Sequence, residues 1–264
     1  MGGLTVERWR GRWAVVTGAS AGIGRALAEE LAAAGVHLVL TARGADSLER
    51  LAETLRFDHV VRVETVTADL ENPRGPGEIL AFTQMKGIAV DLLVNNAGVG
   101  SFGEFYRSDL RGQLGIVKVN CLAVVHLTHL FLPGMIERRA GDVLIVASTA
   151  GFQAVPFSAT YAASKAFDLL FAEGLAEEVG RHGVQVCALC PGPDAADVHA
   201  STGTPVAVAP AVEARRVARA GLEALAGGQR SVVSGFAGWL TVPVQRAVTR
   251  RGVADPPPRL EPLP

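Results

Sequence analysis

The chain of 264 residues is 49% hydrophobic and 19% charged, so it holds enough apolar sequence to bury one large core. Its 25 Lys and Arg residues nearly balance 26 Asp and Glu residues, which gives no electrostatic argument for a nucleic-acid partner. We therefore expect one domain over residues 1–264 and no binding to nucleic acid.

The two ends of the chain carry different signals. The N-terminal "MGGLTVERWRGRW" has charges where a secretory signal has an apolar run, and three sparse cysteines argue against a disulfide framework. These features predict a soluble cytoplasmic protein. The C-terminal "ADPPPRLEP" is too rich in proline to continue a helix, so residues from about 252 to 264 are expected to be extended or disordered.

Short apolar runs alternate with longer helical patterns along the chain. The predicted strands are "WAVVTG", "VHLVLTAR", "VVRVETVTA", "VDLLVNNAG", "GDVLIVAS", "VQVCALCPG" and "RSVVSG". The predicted helices cover about 23–34, a stretch from about Ser47, a stretch near Glu78, a long stretch through Leu130, the segment with "TYAASKAFD", and about 212–226. Strands that are apolar throughout are typical of a parallel sheet covered on both faces. The pattern predicts a doubly wound α/β fold of Rossmann type, with three layers.

Two pairs of residues resemble functional motifs that we do not assign. Cys187 and Cys190 have the spacing of a redox pair, but strand positions three apart point to opposite faces, which favours core packing. His126 and His129 lack a carboxylate at the spacing of a zinc site, so we predict helix-face or interface residues and no metal.

Gly18, Gly22 and Gly24 lie between the first strand and the first helix in "VVTGASAGIGRALAEEL". Small residues let the backbone approach a pyrophosphate, and the helix N-terminus offers N–H groups and a positive dipole end. The spacing is G-x-x-x-G-x-G, and the same glycines would serve a tight strand-to-helix turn. Their place at the first strand–helix junction favours a dinucleotide site.

The end of the second strand indicates which dinucleotide binds. Arg43 stands where an NAD site usually has a carboxylate for the ribose 2′-hydroxyl, and an arginine favours the 2′-phosphate of NADP(H) over NAD(H). Asp46 is an alternative ribose ligand, but with Glu49 three residues later it has the spacing of a helix-capping pair.

These residues, in their order and spacing, resemble the short-chain dehydrogenase/reductase family in its simple three-glycine branch. The resemblance runs from about Gly11 to Arg251 and rests on "TGASAGIG" (17–24), "NNAG" (95–98), Asn120, Ser148, "YAASK" (161–165) and "PG" (191–192). It implies an enzyme that transfers a hydride between a nicotinamide and a carbonyl or secondary alcohol. It also implies a homodimer or homotetramer that pairs through the long helices near 105–130 and 160–180.

The resemblance implies a role for each matching residue. Tyr161 is the general acid in reduction and the base in oxidation, Ser148 holds the substrate oxygen, Lys165 binds the nicotinamide ribose and favours the phenolate, and Asn120 fixes a water. The implied cofactor-binding residues are Gly18, Ser20, Gly22, Ile23, Gly24, Arg43, Asp69, Asn96, Ala97, Gly98, Tyr161, Lys165, Pro191 and Gly192.

Coulomb's law supports the tyrosine–lysine pair independently. An i, i+4 spacing brings both side chains to one helix face. A lysine charge at about 5 Å stabilises a phenolate by roughly 3 kcal/mol at an effective dielectric constant of ~20. Each of Tyr161, Lys165, Ser148 and Asn120 also has an ordinary structural interpretation, but their combination with the glycine turn favours catalysis.

One segment departs from the family pattern. After "PG" the family often has a threonine near the nicotinamide carboxamide, whereas Asp194 and Ala196 follow here. Two outcomes are open: activity is weakened, or a shifted loop from Pro193 to Pro210 lets Ser201, Thr202 or Thr204 substitute. This departure motivates an alternative function: a cofactor-binding sensor or complex subunit with lost or marginal catalysis. The intact Ser, Tyr, Lys and Asn set argues against that alternative.

The substrate is expected to be a hydrophobic small molecule. The candidate pocket walls are Phe152, Val155, Phe157, Phe236 and Trp239. The C-terminal "GFAGWLTVPVQRAVTRRG" is basic and amphipathic, but Pro243 interrupts it, which favours a lid helix over membrane contact.

Overall fold

A computed structural model describes residues 6–192 and 211–234. Seven parallel strands form one sheet in the order β3-β2-β1-β4-β5-β6-β7. The strands are β1 (Trp13–Thr17), β2 (His37–Ala42), β3 (Val63–Thr67), β4 (Val90–Asn95), β5 (Gly141–Val146), β6 (Val184–Pro191) and β7 (Ser231–Ser234). The helices are α1 (Gly22–Ala33), α2 (Ala45–Asp58), α3 (Gly75–Met85), α4 (Leu110–Val117), α5 (Ala123–Glu137), α6 (Ala159–Gly180) and α7 (Ala211–Ala226).

Helices cover both faces of the sheet. Successive strand residues enter different cores: Ala14 and Val16 pack on the side of α1, α2 and α7, whereas Val15 packs on the side of α3, α5 and α6. The strands are buried on both faces because their side chains are apolar at nearly every position. The predicted doubly wound, three-layer Rossmann-type fold is confirmed.

The strand order reverses beside β1. The chain runs outward from β1 through β2 to β3 and then crosses to β4, on the other side of β1. The carboxyl ends of β1 and β4 therefore flank a crevice, which is where doubly wound sheets bind ligands.

The two cysteines of "CALC" lie on opposite faces of β6. Cys187 belongs to the core on the α1 side and Cys190 to the core on the α6 side, and they form no disulfide with each other. Burial raises the pKa of Cys187 to about 12. The expectation of core packing, and not a redox pair, is confirmed.

The start of α2 differs from the prediction. The helix begins at Ala45, and its N-cap residue is Gly44, which has no side chain to cap it. The Ser47 hydroxyl donates to the Gly44 carbonyl (2.9 Å). Glu49 accepts hydrogen bonds from Arg56 (2.7 Å) and Thr65 (3.0 Å), which lower its pKa. The predicted capping pair of Asp46 and Glu49 is therefore wrong, because Glu49 faces Arg56 and β3.

The long helical stretch through Leu130 contains an irregular turn. A π-helical turn, Lys118–Leu122, separates α4 from α5 and carries Asn120. The whole stretch Leu110–Glu137 is long and apolar enough to cross a membrane by length and composition. Val124, Leu127 and Phe131 nevertheless pack into the core beside β4 and β5, as in a core helix. Length and composition alone are therefore weak evidence for a membrane span.

A short 3-10 turn, Val6–Trp9, closes the amino ends of the central strands. The indole N–H of Trp9 donates to Asp142 at the start of β5 (2.7 Å), and the Arg8 guanidinium donates to the same carboxylate (3.3 Å). Burial raises the pKa of Asp142, and the Trp9 hydrogen bond and the Arg8 charge oppose that shift. We call this group the amino-edge clamp: Arg8, Trp9 and Asp142.

Several predictions concern residues outside the described part of the chain. They include those for the loop after Gly192 (Asp194, Ala196, Ser201, Thr202 and Thr204), for Phe236, Trp239 and Pro243, and for the tail at 252–264.

Candidate active site

The glycine turn connects β1 to α1. Gly18 and Gly22 have φ values of 63° and 52°, a left-handed conformation that side chains disfavour. A Cβ atom at Gly24 would overlap the Gly18 carbonyl oxygen and the Asn96 amide, so only glycine allows this close packing. Helix α1 begins at Gly22 without a side-chain cap, which leaves its N-terminus for an anion.

Thr17 holds the glycine turn against the segment after β4. Its buried hydroxyl accepts from the backbone N–H groups of Asn96 and Ala97 (both 2.9 Å), while the Asn96 amide donates to the Thr17 carbonyl (2.9 Å). The predicted cofactor residues Asn96, Ala97 and Gly98 therefore lie directly beside Gly18. Sequence reasoning missed Thr17, although a hydroxyl at the end of an apolar strand, just before the glycines, was a usable signal.

Arg43 and Asp69 follow β2 and β3 at the same edge of the sheet. Both are exposed, and the Asp69 carboxylate accepts from the backbone N–H of Glu71 (3.0 Å). Because these strands are parallel neighbours of β1, Arg43 and Asp69 lie on the same side of the crevice as the glycine turn.

Asn120 is fully buried in the π-helical turn. Its side chain accepts from the Val99 N–H (2.9 Å) and donates to the Val99 carbonyl (3.0 Å) and to the Ser164 hydroxyl (2.9 Å). Ser164 in turn donates to the Tyr161 carbonyl (2.7 Å). Asn120 thus ties the loop after β4 to the helix that carries Tyr161 and Lys165, and irregular π turns are frequent at such sites.

Lys165 is buried at the centre of the site. Its ammonium donates to the Val146 carbonyl (2.7 Å) and to the Asp168 carboxylate (2.9 Å). Burial lowers the pKa of Lys165, but the charges of Asp168 and of ionised Tyr161 outweigh it and raise that pKa overall. The lysine is therefore a cation, electrostatically coupled to the half-buried Tyr161 four residues earlier.

Ser148 follows β5 and begins a 3-10 turn, Thr149–Phe152, in which its hydroxyl accepts from the Ala150 N–H (3.1 Å). A Cβ atom at Gly151 would lie 2.7 Å from the Lys165 carbonyl carbon, so glycine lets this turn pack closely on α6. Ser148 therefore lies at the start of a 3-10 turn that packs directly on α6, the helix that carries Tyr161.

The predicted site residues form two adjoining groups. The first group holds Ser148, which follows β5, Tyr161 and Lys165 on α6, and Asn120 in the π turn. It adjoins the second group, the glycine turn and the segment 96–98, at Gly98. A Cβ atom at Gly98 would lie 3.5 Å from the Asn120 oxygen and 3.6 Å from the Lys165 nitrogen. Pro191 is the last residue of β6 and Gly192 follows it, where the Gly192 N–H donates to the Ser234 carbonyl (2.9 Å).

Ser164 and Asp168 are contact residues that sequence reasoning missed. They lie three and seven residues after Tyr161, and with Lys165 they are the buried polar residues of α6, whose other buried residues are apolar. That helical spacing was the signal that could have found them.

A cavity of about 360 Å³ opens beside the first turn of α6. Its lining residues are Ser101, Gly103, Glu104, Phe105, Tyr106, Gln113, Phe157 and Ala159. Phe157, a predicted pocket wall, lies against Phe102 with ring centroids 5.9 Å apart, and its φ of 64° is unusual for a residue with a side chain. Phe152, another predicted wall, packs against the core on the α6 side.

No group of three His, Cys, Asp or Glu side chains within residues 6–192 and 211–234 is arranged to hold a metal ion. His126 and His129 are exposed on α5. The glycine turn, in contrast, fits a dinucleotide, because its glycines keep Cβ atoms out of the place where a phosphate approaches the backbone.

The fold is a doubly wound parallel sheet with a glycine-rich turn at its first strand–helix junction. Residues 12–206 match the family model described as short chain dehydrogenase. The chain belongs to the short-chain dehydrogenase/reductase family.

Relatives and solved structures agree with this membership. The chain is 36% identical over 190 residues to the very-long-chain 3-oxoacyl-CoA reductase of Bos taurus, an alignment that covers 70% of this chain and 60% of the relative. The chain thus spans little more than half the length of the curated relatives it matches.

Two solved structures illustrate the likeness of the fold. A bulky-bulky ketone specific alcohol dehydrogenase from Comamonas testosteroni has a TM-score of 0.76 and 25% identity, and the match covers 92% of this chain and 97% of that one. L-sorbose reductase from Gluconobacter frateurii, in complex with NADPH and L-sorbose, has a TM-score of 0.66 and 33% identity over 69% and 70% of the two chains.

Proposed function

We propose that this protein is an NADP(H)-dependent oxidoreductase that acts on a carbonyl or secondary alcohol of a hydrophobic small molecule. The observation that carries the proposal is the half-buried Tyr161 on the same helix face as the buried Lys165 cation, beside the glycine turn. A phenol next to a fixed cation gives up its proton more readily than a phenol in water, which is what a general acid needs.

Each residue has a defined role in this proposal. A nicotinamide held at the glycine turn would supply the hydride for reduction or accept it in oxidation. Tyr161 donates its phenolic proton to the carbonyl oxygen in reduction and takes it back in oxidation. Ser148 donates a hydrogen bond to the same oxygen, and Lys165 stabilises the phenolate and contacts the nicotinamide ribose. Asn120 keeps the loop after β4 in place and fixes a water for the proton relay.

The preference for NADP(H) over NAD(H) rests on Arg43. Its guanidinium is exposed directly after β2, where the adenosine ribose lies in doubly wound dinucleotide sites. Arginine pairs well with phosphate oxygens, which supports binding of the 2′-phosphate. The NADPH bound to L-sorbose reductase is consistent with this choice. The adenine would lie between Asp69 and the segment 96–98, and the pyrophosphate on Gly18, Ser20, Gly22, Ile23 and Gly24.

We infer the substrate class from the cavity at the first turn of α6, which Ala159 lines two residues before Tyr161. Phe105, Tyr106 and Phe157 give it an apolar, aromatic lining, while Ser101 and Gln113 supply polar groups. The name of the Bos taurus relative, a reductase of very-long-chain 3-oxoacyl-CoA, makes long-chain 3-oxo thioesters the first compounds to test. Hydrophobic ketones without a CoA group form the second set.

The proposal includes a cytoplasmic homodimer or homotetramer, assembled as one domain. Apolar side chains are exposed along α4, the π turn and α6. They are Leu110, Leu114, Val117, Leu122, Phe167 and Leu170. Light scattering on the purified protein tests this assembly, and a monomer at micromolar concentration would contradict it.

The replacement of Tyr161 by Phe tests the catalytic assignment. Removal of the phenolic oxygen is expected to lower NADPH-dependent reduction about 10²-fold to 10⁴-fold, while NADPH binding, followed by fluorescence, stays largely intact. If Tyr161→Phe reduced a substrate as fast as the parent, Tyr161 would not be the acid.

The alternative function is a cofactor-binding sensor or complex subunit, and "PGPDAAD" motivates it. A panel of aldehydes, ketones and 3-oxo thioesters, each tested for NADPH consumption, separates the two functions. Tight NADPH binding without turnover of any compound would favour the alternative, whereas turnover that depends on Tyr161 would exclude it.

A further inference from the structure

Asp168 is a buried carboxylate that none of the roles above uses. It lies on α6, three residues after Lys165, and its side chain is inaccessible to solvent. Oxygen Oδ2 accepts from the Lys165 ammonium (2.9 Å), but oxygen Oδ1 has no hydrogen-bond partner among the described residues. A buried carboxylate with an unpaired oxygen is unfavourable for stability, so folding alone does not explain it.

The contacts of Lys165 indicate what Asp168 does. An ammonium has three N–H donors, and the Val146 carbonyl and Asp168 occupy two of them. These two acceptors come from different elements, β5 and α6, so they fix the nitrogen in space. The third N–H remains for a ligand on the side of Gly98, where the ribose lies in the proposed function.

The charge of Asp168 reaches the other ionisable groups of the site. It raises the pKa of Lys165, and with burial it raises the pKa of Cys121, on the neighbouring π turn, to about 11. The ionised Tyr161 also raises the pKa of Lys165, so the two side chains are electrostatically coupled. Burial raises the pKa of Asp168 itself to about 6, against the opposing charge of Lys165, so its carboxyl is largely ionised at neutral pH.

We propose that Asp168 is a positioning residue: it fixes the Lys165 ammonium beside Tyr161, and its negative charge offsets part of the lysine's field at the phenol. This inference rests on the proposed function of Tyr161 as the acid. With Asp168 neutral, Tyr161 and Lys165 both lose their protons at lower pH, because the negative charge that favoured their protonated forms has been removed.

The sequence offers a direct readout, because the chain contains only two tyrosines, Tyr106 and Tyr161. In a Tyr106→Phe background, tyrosinate absorbance at about 295 nm reports the ionisation of Tyr161 alone, and it needs no substrate. We expect Asp168→Asn to move this titration to lower pH by about one unit, the size of a Coulomb interaction at several ångströms in a partly polar interior. Lys165→Met should move it in the opposite direction.

A second readout follows Lys165. The chain has three lysines, Lys86, Lys118 and Lys165, so the side-chain resonance of Lys165 can be assigned by its loss in Lys165→Met. Asp168→Asn is expected to lower the pH at which this resonance titrates. The alkaline limit of the kinetic pH profile should move in the same direction.

Asp142→Asn is the matched control, because it removes another buried carboxylate at the opposite edge of the sheet. It should leave the Tyr161 titration unchanged. Circular dichroism and thermal melting establish that each variant folds, and Asp168→Ser, which leaves room for a water, replaces Asp168→Asn if that variant does not fold. An unchanged or raised Tyr161 titration in a folded Asp168 variant would overturn the proposal.

The same set of experiments separates this proposal from the proposed function. Should Tyr161→Phe retain full activity, the acid assignment fails whatever the titrations show. Should Tyr161→Phe be inactive while Asp168→Asn leaves both titrations in place, only the role of Asp168 fails.

Discussion

Two buried carboxylates at opposite edges of the sheet have opposite environments. Asp142, in the amino-edge clamp, is bonded to the Trp9 indole and to a guanidinium whose side chain is 37% exposed. Asp168, at the carboxyl edge, is bonded to a lysine side chain that is only 6% exposed, and one of its oxygens has no partner among the described residues.

The difference indicates that Asp142 contributes to stability and that Asp168 acts on the ionisable groups of the site. A carboxylate with both oxygens bonded and a hydrated counter-ion is a stable way to attach an N-terminal turn to a strand. A buried ion pair with an unpaired oxygen is a poor source of stability, but it holds charge in a water-poor place where it acts strongly on a neighbouring phenol. Parallel sheets bind ligands at their carboxyl ends. Asp168 is one of three described residues, with Thr41 and Asn95, that keep a buried oxygen without a partner on that side of the sheet.

The largest effect on turnover is expected when the cation beside Asp168 is removed, and none is expected when the cation beside Asp142 is removed. Lys165→Met should lower turnover by about 10²-fold or more, since the roughly 3 kcal/mol that the charge contributes to the phenolate is lost. Arg8→Met removes the cation beside Asp142 in the same way. Its steady-state kinetics should match those of the parent, and a comparable loss of turnover in both variants would abolish the contrast between the edges.

A second effect at the carboxyl edge concerns the cofactor. Arg43→Ala should raise the KM for NADPH about 10-fold to 100-fold, because a charged hydrogen bond to phosphate contributes about 1.5–3 kcal/mol. The KM for NADH should hardly change. Arg50→Ala, which removes an exposed charge from α2, is the control. Equal losses with both cofactors would mean that Arg43 does not contact the 2′-phosphate.

The amino-edge clamp should respond in stability and not in activity. Trp9→Phe leaves Asp142 without its buried donor, and we expect the free energy of unfolding in urea to fall by about 1–3 kcal/mol. Turnover at saturating substrate should be unchanged in the folded fraction.

A double-mutant cycle isolates the hydrogen bond between Trp9 and Asp142. The loss in Trp9→Phe with Asp142→Asn should be smaller than the sum of the two single losses. Strict additivity would show that Trp9 stabilises the turn only by its apolar contacts.

The sequence predicted the sheet and most of the candidate site because the signals are local. Apolar runs such as "WAVVTG" specify buried strands, and the i, i+4 spacing of Tyr161 and Lys165 specifies a shared helix face. The three glycines predict a tight turn, which needs glycine at Gly18 for its positive φ and at Gly24 for its close packing.

The residues that were missed depend on contacts between distant segments. Thr17 binds Asn96 across 79 residues, and Trp9 binds Asp142 across 133 residues, and no local pattern encodes either pair. The capping pair of Asp46 and Glu49 was wrong for the same reason, since Glu49 is taken by Thr65 on β3. Asp168 differs, because helical spacing from Lys165 was enough to find it.

The smallest expected effect is a slope in stability between about pH 4 and pH 6. The pKa of Asp168 rises from 3.8 to about 6 on folding, so in this window the native protein holds a proton that the unfolded chain has released. Protonated Asp168 therefore favours the native state, and its contribution to the free energy of unfolding declines as pH rises, by at most about 1.4 kcal/mol per pH unit. Asp168→Asn should remove most of this slope in urea titrations across the window. The pKa of Asp142 is also raised, so Asp142→Asn should remove only its own smaller share of the slope. An unchanged slope in Asp168→Asn would assign the bound proton to another group.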